Sequence, residues 1–457
     1  MRKNLLFLFI VSTFSMIARG QAAEIDSLIH RTNRLGLFNG NVLVADHNKV
    51  LYKTAIGFAD PGSKIPLTLQ HRFHIGSIAK EFNAVGIMML KAQGKLKLED
   101  KVSAYIPGLP AWSDSVSILH LLQYTSGLPD LNWKTVHSDA DIMQDLRDRQ
   151  QLLFTPGSNY LYSNNCVFLQ RRIIEKITGM PFNTFVEQQL LRPCGMNAAV
   201  VDPTEKDTPI AIAFNNERQA DPLILAISGW TAVTADDFYQ WSNAINTFRL
   251  LSPADTRTIL YPSGPNRQSG LGGGEMAEDH ITRHIHDGSA LRYNALLVSD
   301  PPRGRTVILL TNNKQGNLYE INTAIQAILD GKPYQQPKKP VVDLFNGKLD
   351  QLNAQQALTL YQQLKSRHAG EYNFDNESAL NNLGYYYMNH NRLDDAIIIF
   401  TRNTRLFPAS GNVFDSLGEA YYKKNDKKNA LRYYKRALAL DSTNTTARQI
   451  VTALSGE

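Results

Sequence analysis

The strongest constraint on how this chain can fold lies in its last hundred residues, where the sequence repeats itself. Leu380, Leu383, Gly384, Tyr387, Ala396 and Phe400 are matched 34 residues later by Phe414, Leu417, Gly418, Tyr421, Ala430 and Tyr434. Apolar residues three and four apart within each copy predict helices. The small residue at a fixed place in each copy lets two antiparallel helices approach closely, and the aromatics fill the space between them. Pro408 closes the first copy, and the second has Ser442 in its place. A helix pair of this kind cannot bury its apolar face alone, so neighbours must cap it. Helical patterns near 354–367 and 445–454 are the candidates. We place the repeats at 377–410 and 411–444, within an all-α domain over 353–457.

Two segments set off the rest. Residues 333–352 carry Pro333, Pro337 and Pro340 around Lys338-Lys339, which predicts a semi-rigid linker. Residues 1–20 have a basic start at Arg2 and Lys3, an apolar run from Leu5 to Ile17, and small residues at Ala18-Arg19-Gly20. That order predicts a cleaved secretory signal and a periplasmic or secreted protein with no transmembrane segment once matured. Losing Arg2, Lys3 and Arg19 with it would lower the formal net charge of +6 by three, a bias too weak for a nucleic-acid partner. Cys166 and Cys194 are the only two cysteines, and the sequence leaves a disulfide and two buried thiols equally open.

Residues 24–332 remain as one domain. Asn41–Asp46 and Val50–Ile56 read as a hairpin, as do Tyr293–Ser299 and Arg305–Thr311. Between them, Ser77-Ile78-Ala79-Lys80 runs into Ala84-Val-Gly-Ile-Met-Met-Leu90, apolar on every face like a core helix. We expect Ser77 at that helix's N-terminus, where free backbone N–H groups favour negative charge, with Lys80 one turn on. A hydroxyl and an amine so placed can be a nucleophile and its activator.

Ser-x-x-Lys is short enough to arise by chance, so its partners decide. Tyr162-Ser163-Asn164 follows the Pro156-Gly157 turn and precedes a helix. A nearby lysine ammonium would favour a Tyr162 phenolate, and Asn164 could donate to a substrate carbonyl while accepting from Lys80. His286-Asp287-Gly288 supplies a further proton carrier, and its glycine would let a substrate backbone come close. A rival reading gathers His280, His284, His286, Asp279 and Asp287 around a metal, with no other residue evidently completing the set.

With these elements in view, residues 36–330 resemble the serine β-lactamase and penicillin-binding-protein superfamily, in its class C-like branch of esterases and D-stereospecific peptidases. Phe73-x-Ile-Gly-Ser77-x-x-Lys80, Leu121-Leu122-x-x-Thr125-Ser126-Gly127-Leu128-Pro129, Tyr162-x-Asn164 and His286-x-Gly288 carry the likeness. The C-terminal pattern is that of tetratricopeptide repeats. The resemblance implies an α/β (α+β) fold: an antiparallel sheet built from both ends of the domain, flanked by helices, with a helical subdomain. It also implies an acyl-enzyme on Ser77, proton transfer by Lys80, Tyr162 and His286, and an oxyanion hole from the amides of Ser77 and Ser289. No metal or organic cofactor is implied. The substrate would be a small molecule or peptide, and the repeats would offer a groove to a protein partner.

The departures fall in one place. Relatives that recognise penicillin usually have Lys-Thr-Gly where His286-Asp287-Gly288 stands, and many have glycine where Arg292 stands. Asp287 would repel a substrate carboxylate unless Arg292 offset it. We therefore expect poor β-lactam turnover and a preference for neutral esters or for amides bearing an amine. A binding protein without catalysis is the alternative.

Overall fold

The computed structural model describes residues 2–222, 227–264, 267–345 and 347–455, with side chains from residue 18 onward. It divides into two compact units, up to Pro337 and from Lys338.

The first unit is organised by a six-stranded antiparallel sheet that both ends of the unit build. Its strands are β1 (Gly40–Asp46), β2 (Lys49–Ile56), β6 (Gly273–Ala277), β7 (His280–Ala290), β8 (Tyr293–Asp300) and β9 (Arg305–Thr311), in the order β2-β1-β9-β8-β7-β6. β1 joins β9 with Gly40 opposite Thr311. A smaller sheet joins β3 (Phe73–His74), β4 (Val200–Val201) and β5 (Thr231–Val233), with β5 in the middle.

Two helices cover one face of the large sheet: α1 (Arg2–Arg34) and, from the far end of the unit, Leu318–Leu329. Ile25, Leu28 and Ile29 of α1 are buried with Val42, Val44, Leu296, Leu309, Ile321 and Ile325. No described helix is long and apolar enough to cross a membrane. The other face packs against the larger core, in which α2 (Lys80–Ala92) is buried on nearly every side, as its apolar sequence predicts. Beside α2 lies α3 (Asn164–Thr178), ended by Gly179 in the left-handed conformation (φ 68°), which only glycine adopts at little cost. Cys166 and Cys194 are both free and buried.

Three expectations are corrected. Ser77 does not open the α-helix; it is the second residue of a 3-10 turn over Gly76–Ala79, and Lys80 begins the helix. His286-Asp287-Gly288, expected just before the strand pair and outside it, lies within a strand of its own, β7. Glycines at 272–274 and the polar residues of 279–287 hide the β6–β7 hairpin from a hydrophobic pattern. Finally, the linker expected at 333–352 is largely structured. Val341, Phe345 and Leu349 are buried in the second unit's core, and Lys339 pairs with Tyr372 through backbone hydrogen bonds.

The second unit is helical. Antiparallel pairs form from Glu377–Asn389 with Leu393–Leu406 and from Gly411–Lys423 with Lys427–Leu440. Ala354–His368 packs against the first pair and Thr445–Ser455 against the second. A Cβ on Gly384 would collide with the Phe400 ring, and one on Gly418 would lie 3.1 Å from Tyr434. The small positions of the repeat are thus where helix meets helix.

Candidate active site

The turn Gly76–Ala79 is delivered by β3, whose continuation is pinned when the Ile75 amide donates to Thr231 O at 3.1 Å. Against it lies β7. Gly76 has φ 55°, and a Cβ there would collide with the Ser289 backbone. A Cβ on Gly288 would collide with Ile75 O and stand 2.9 Å from the Ser77 amide nitrogen. Two glycines facing each other therefore let the turn and the strand meet with the Ser77 and Ser289 amides side by side. This corrects the reason for Gly288: the backbone it admits is the protein's own.

Ser77 Oγ accepts hydrogen bonds from Lys80 Nζ at 2.9 Å and from Tyr162 OH at 3.0 Å. Lys80 Nζ lies 5.3 Å from the centre of the Tyr162 ring, and Tyr162 packs on the buried Tyr124 with centroids 4.8 Å apart. Burial pulls the Lys80 amine down to about 7; the Asp130 carboxylate favours the ammonium, and the Arg171 guanidinium opposes it. Lys80 is thus partly neutral at neutral pH and able to accept a proton. Burial holds the Tyr162 phenol well above its ordinary value, only partly offset by its bond to Ser77, and Asp130 and Asp287 add to the rise. Burial therefore works against the expected Tyr162 phenolate and favours the protonated phenol.

The remaining predicted residues take other partners. His286 Nδ1 bonds to Glu81 Oε1 at 2.7 Å, and His284 Nε2 reaches the same oxygen at 3.0 Å. Trp241 Nε1 donates to Glu81 Oε2 at 2.6 Å. Strand alternation turns both histidines inward. Asp279 instead pairs with Arg257 at 3.6 Å, so the five residues of the rival metal reading are not brought together. Burial alone would raise the Glu81 carboxyl, but the charges and hydrogen bonds of His284 and His286 overcome it and hold the group well below its usual range.

Asn164 does not bond Lys80 in the structure; its backbone N–H and side-chain amide both donate to Asp130 Oδ1, at 2.7 and 2.8 Å. Asp287 accepts from Tyr319 OH at 2.8 Å, and Ser289 Oγ accepts from Lys314 Nζ at 2.7 Å. Arg292 is committed to Asp221 through both its amide and its guanidinium, so it is not the partner of Asp287.

Glu81, Asp130, Lys314 and Tyr319 escaped the sequence reading. Only Glu81 carried a signal, as an acid immediately before the apolar run of α2.

A serine whose hydroxyl is shared by a buried amine and a phenol, between an antiparallel sheet and helices, defines a serine acyl-transfer hydrolase. Residues 22–331 match the family model for β-lactamase, and the chain belongs to that family. Residues 412–444 match the tetratricopeptide repeat. The chain is 28% identical over 346 residues to penicillin-binding protein 4* of Bacillus subtilis, covering 66% of this chain and 75% of that protein. It is 30% identical over 207 residues to esterase EstB of Burkholderia gladioli, covering 40% and 53%. A class C β-lactamase structure superposes with a TM-score of 0.59 at 19% identity, covering 69% of this chain and 97% of that one. This last likeness speaks for the fold alone.

Proposed function

We propose that the protein is an exported serine hydrolase that cleaves esters or amides through an acyl-enzyme on Ser77. The observation that carries this is the Ser77 hydroxyl held at once by Lys80 and Tyr162. As Ser77 Oγ bonds to the acyl carbon, its proton passes to the neutral Lys80 amine. Tyr162 gives its proton to the departing alkoxide or amine and is refilled from Lys80. Water then takes the place of the leaving group and releases the acid by the reverse route. The adjoining Ser77 and Ser289 amides face the oxygen that becomes negative.

The rim favours an amino-acid-like substrate. Asp287 and Lys314, the latter seated on Ser289, present one charge of each sign at strand positions two apart. An amine suits the first and a carboxylate the second, which supports amino-acid-derived amides or esters. Export rests on the basic start and apolar run of residues 1–20, and recruitment of a protein partner rests on the tetratricopeptide match.

The test is turnover of 4-nitrophenyl esters and D-amino-acid amides, with the covalent mass on Ser77 followed by mass spectrometry. Ser77→Ala should lose both turnover and adduct. A fluorophosphonate adduct on that variant would show the nucleophile to be another residue.

A further inference from the structure

Beside the nucleophile lies a donor set that the acyl-transfer step leaves unused. A cleft opens at Lys80 and runs between α2 and α3, lined by Asn83, Asn164, Arg171, Ser228 and Trp230. Its floor is built on Arg171, which is 4% exposed. The guanidinium carbon sits 5.5 and 6.0 Å from the rings of Phe168 and Phe182, and Nη1 donates to Ser228 Oγ at 3.1 Å. Gly229 (φ 92°) makes the room, since a Cβ there would collide with that guanidinium.

The carboxylates nearby are otherwise engaged. Asp139 accepts from the Ser228 amide at 2.9 Å and from its hydroxyl at 2.5 Å, and lies 3.5 Å from Arg172. Asp202 accepts from the amides of Gly229 and Trp230 at 2.5 and 3.1 Å. These bonds fix the wall of the cleft; the charges of Asp139, Asp202 and Glu175 still favour the guanidinium, but none is within ion-pair distance of it among the described residues. Arg171 Nε and Trp230 Nε1 are both buried with no hydrogen-bond partner among the described residues. Buried donors ordinarily have an acceptor. Here two of them belong to residues that line one cleft beside the reacting serine.

We propose that this cleft is the acyl-side subsite and takes a carboxylate carried on the substrate's acyl chain, with Arg171 and Trp230 as its donors. A guanidinium fork matches a carboxylate's two oxygens, and an indole N–H supplies a third bond. Arg171 lies two helical turns beyond Asn164 on α3, so the carboxylate stands several carbons from the acyl carbon, as in an adipoyl group. The proposal rests on the acyl-enzyme reading of Ser77.

The test compares kcat/KM for mono-4-nitrophenyl adipate with that for 4-nitrophenyl hexanoate, a chain of the same length without the charge. The wild type should favour the adipate at least about tenfold. Arg171→Met should bring the ratio to about one, and Trp230→Phe, which removes only the indole donor, should lower it severalfold. A wild-type ratio of one or less overturns the proposal, as does an Arg171→Met ratio equal to the wild type's. If Arg171→Met does not fold, the Trp230→Phe ratio decides alone. If neither ester is turned over, the hydrolase reading is decided separately by the D-amino-acid amides and the covalent mass on Ser77. Calorimetry with adipate then decides the subsite: saturable binding supports it, and no binding overturns it.

Discussion

Gly288 stands directly against Ser77: a Cβ on the strand residue would lie 2.9 Å from the amide nitrogen of the nucleophile and would collide with Ile75 O. Gly288→Ala should therefore push β7 away from the turn. Such overpacking costs about 1–3 kcal/mol, and a misplacement of the reacting group by about 1 Å can cost about a hundredfold in rate. The expected result is a lowered melting temperature together with ester turnover reduced about a hundredfold. Unchanged kcat/KM would show that the two amides need not stay side by side.

Glu81 binds three donors with no exposure to solvent. Glu81→Ala strands two histidines and an indole, a loss of about 3–5 kcal/mol. Glu81→Gln keeps the shape but cannot titrate. The carboxyl is held below its unfolded value of about 4.5, so its contribution is present above that pH and lost as pH falls toward the depressed folded value. The gap in urea midpoint between the wild type and Glu81→Gln should be widest above about pH 5 and shrink below about pH 4. A gap that stays constant from pH 7 to 3 would refute the assignment.

Lys80 and Tyr162 make opposite contributions to the pH profile. With the amine brought down to about 7, its base form grows as pH rises, so kcat/KM should climb through about pH 7. Lys80→Arg, which stays charged, should lose at least about a hundredfold. Tyr162, held well above its ordinary value, remains protonated across that range. Tyr162→Phe should thus lower the rate about equally from pH 6 to 9 without moving the rising limb.

In the repeat unit the two matched glycines are not equivalent. A methyl on Gly384 collides with Phe400, whereas on Gly418 it meets Tyr434 at 3.1 Å. Gly384→Ala should destabilise the helices by about 1–3 kcal/mol and Gly418→Ala by clearly less, read as shifts of the helical melting transition by circular dichroism.

What the sequence made legible was mostly local. Ser77 and Lys80 are a turn apart, Tyr162 sits on a short loop, and the repeat announces itself by its period, so each could be read in place. The partners of these residues were not legible. Glu81 acquires its role from histidines more than two hundred positions away, and Asn164 acquires its own from Asp130 across a loop. The phenolate expectation failed for a related reason. A lysine ammonium beside a tyrosine is a pairwise argument, and burial of both groups, which a linear pattern does not display, reverses it. Arg292 was misjudged because Asp221, which holds it, lies on another loop.

The contact between Glu81 and His286 spans 205 residues of chain, and β1 finds its inner neighbour only in β9. During synthesis the serine is therefore made long before the strand that completes its surroundings. Until Thr311 has joined the fold, Ser77 lacks the sheet that lies against its turn. A product truncated before that point would carry Ser77, Lys80 and Tyr162 without β9, the strand that joins β1 to β8.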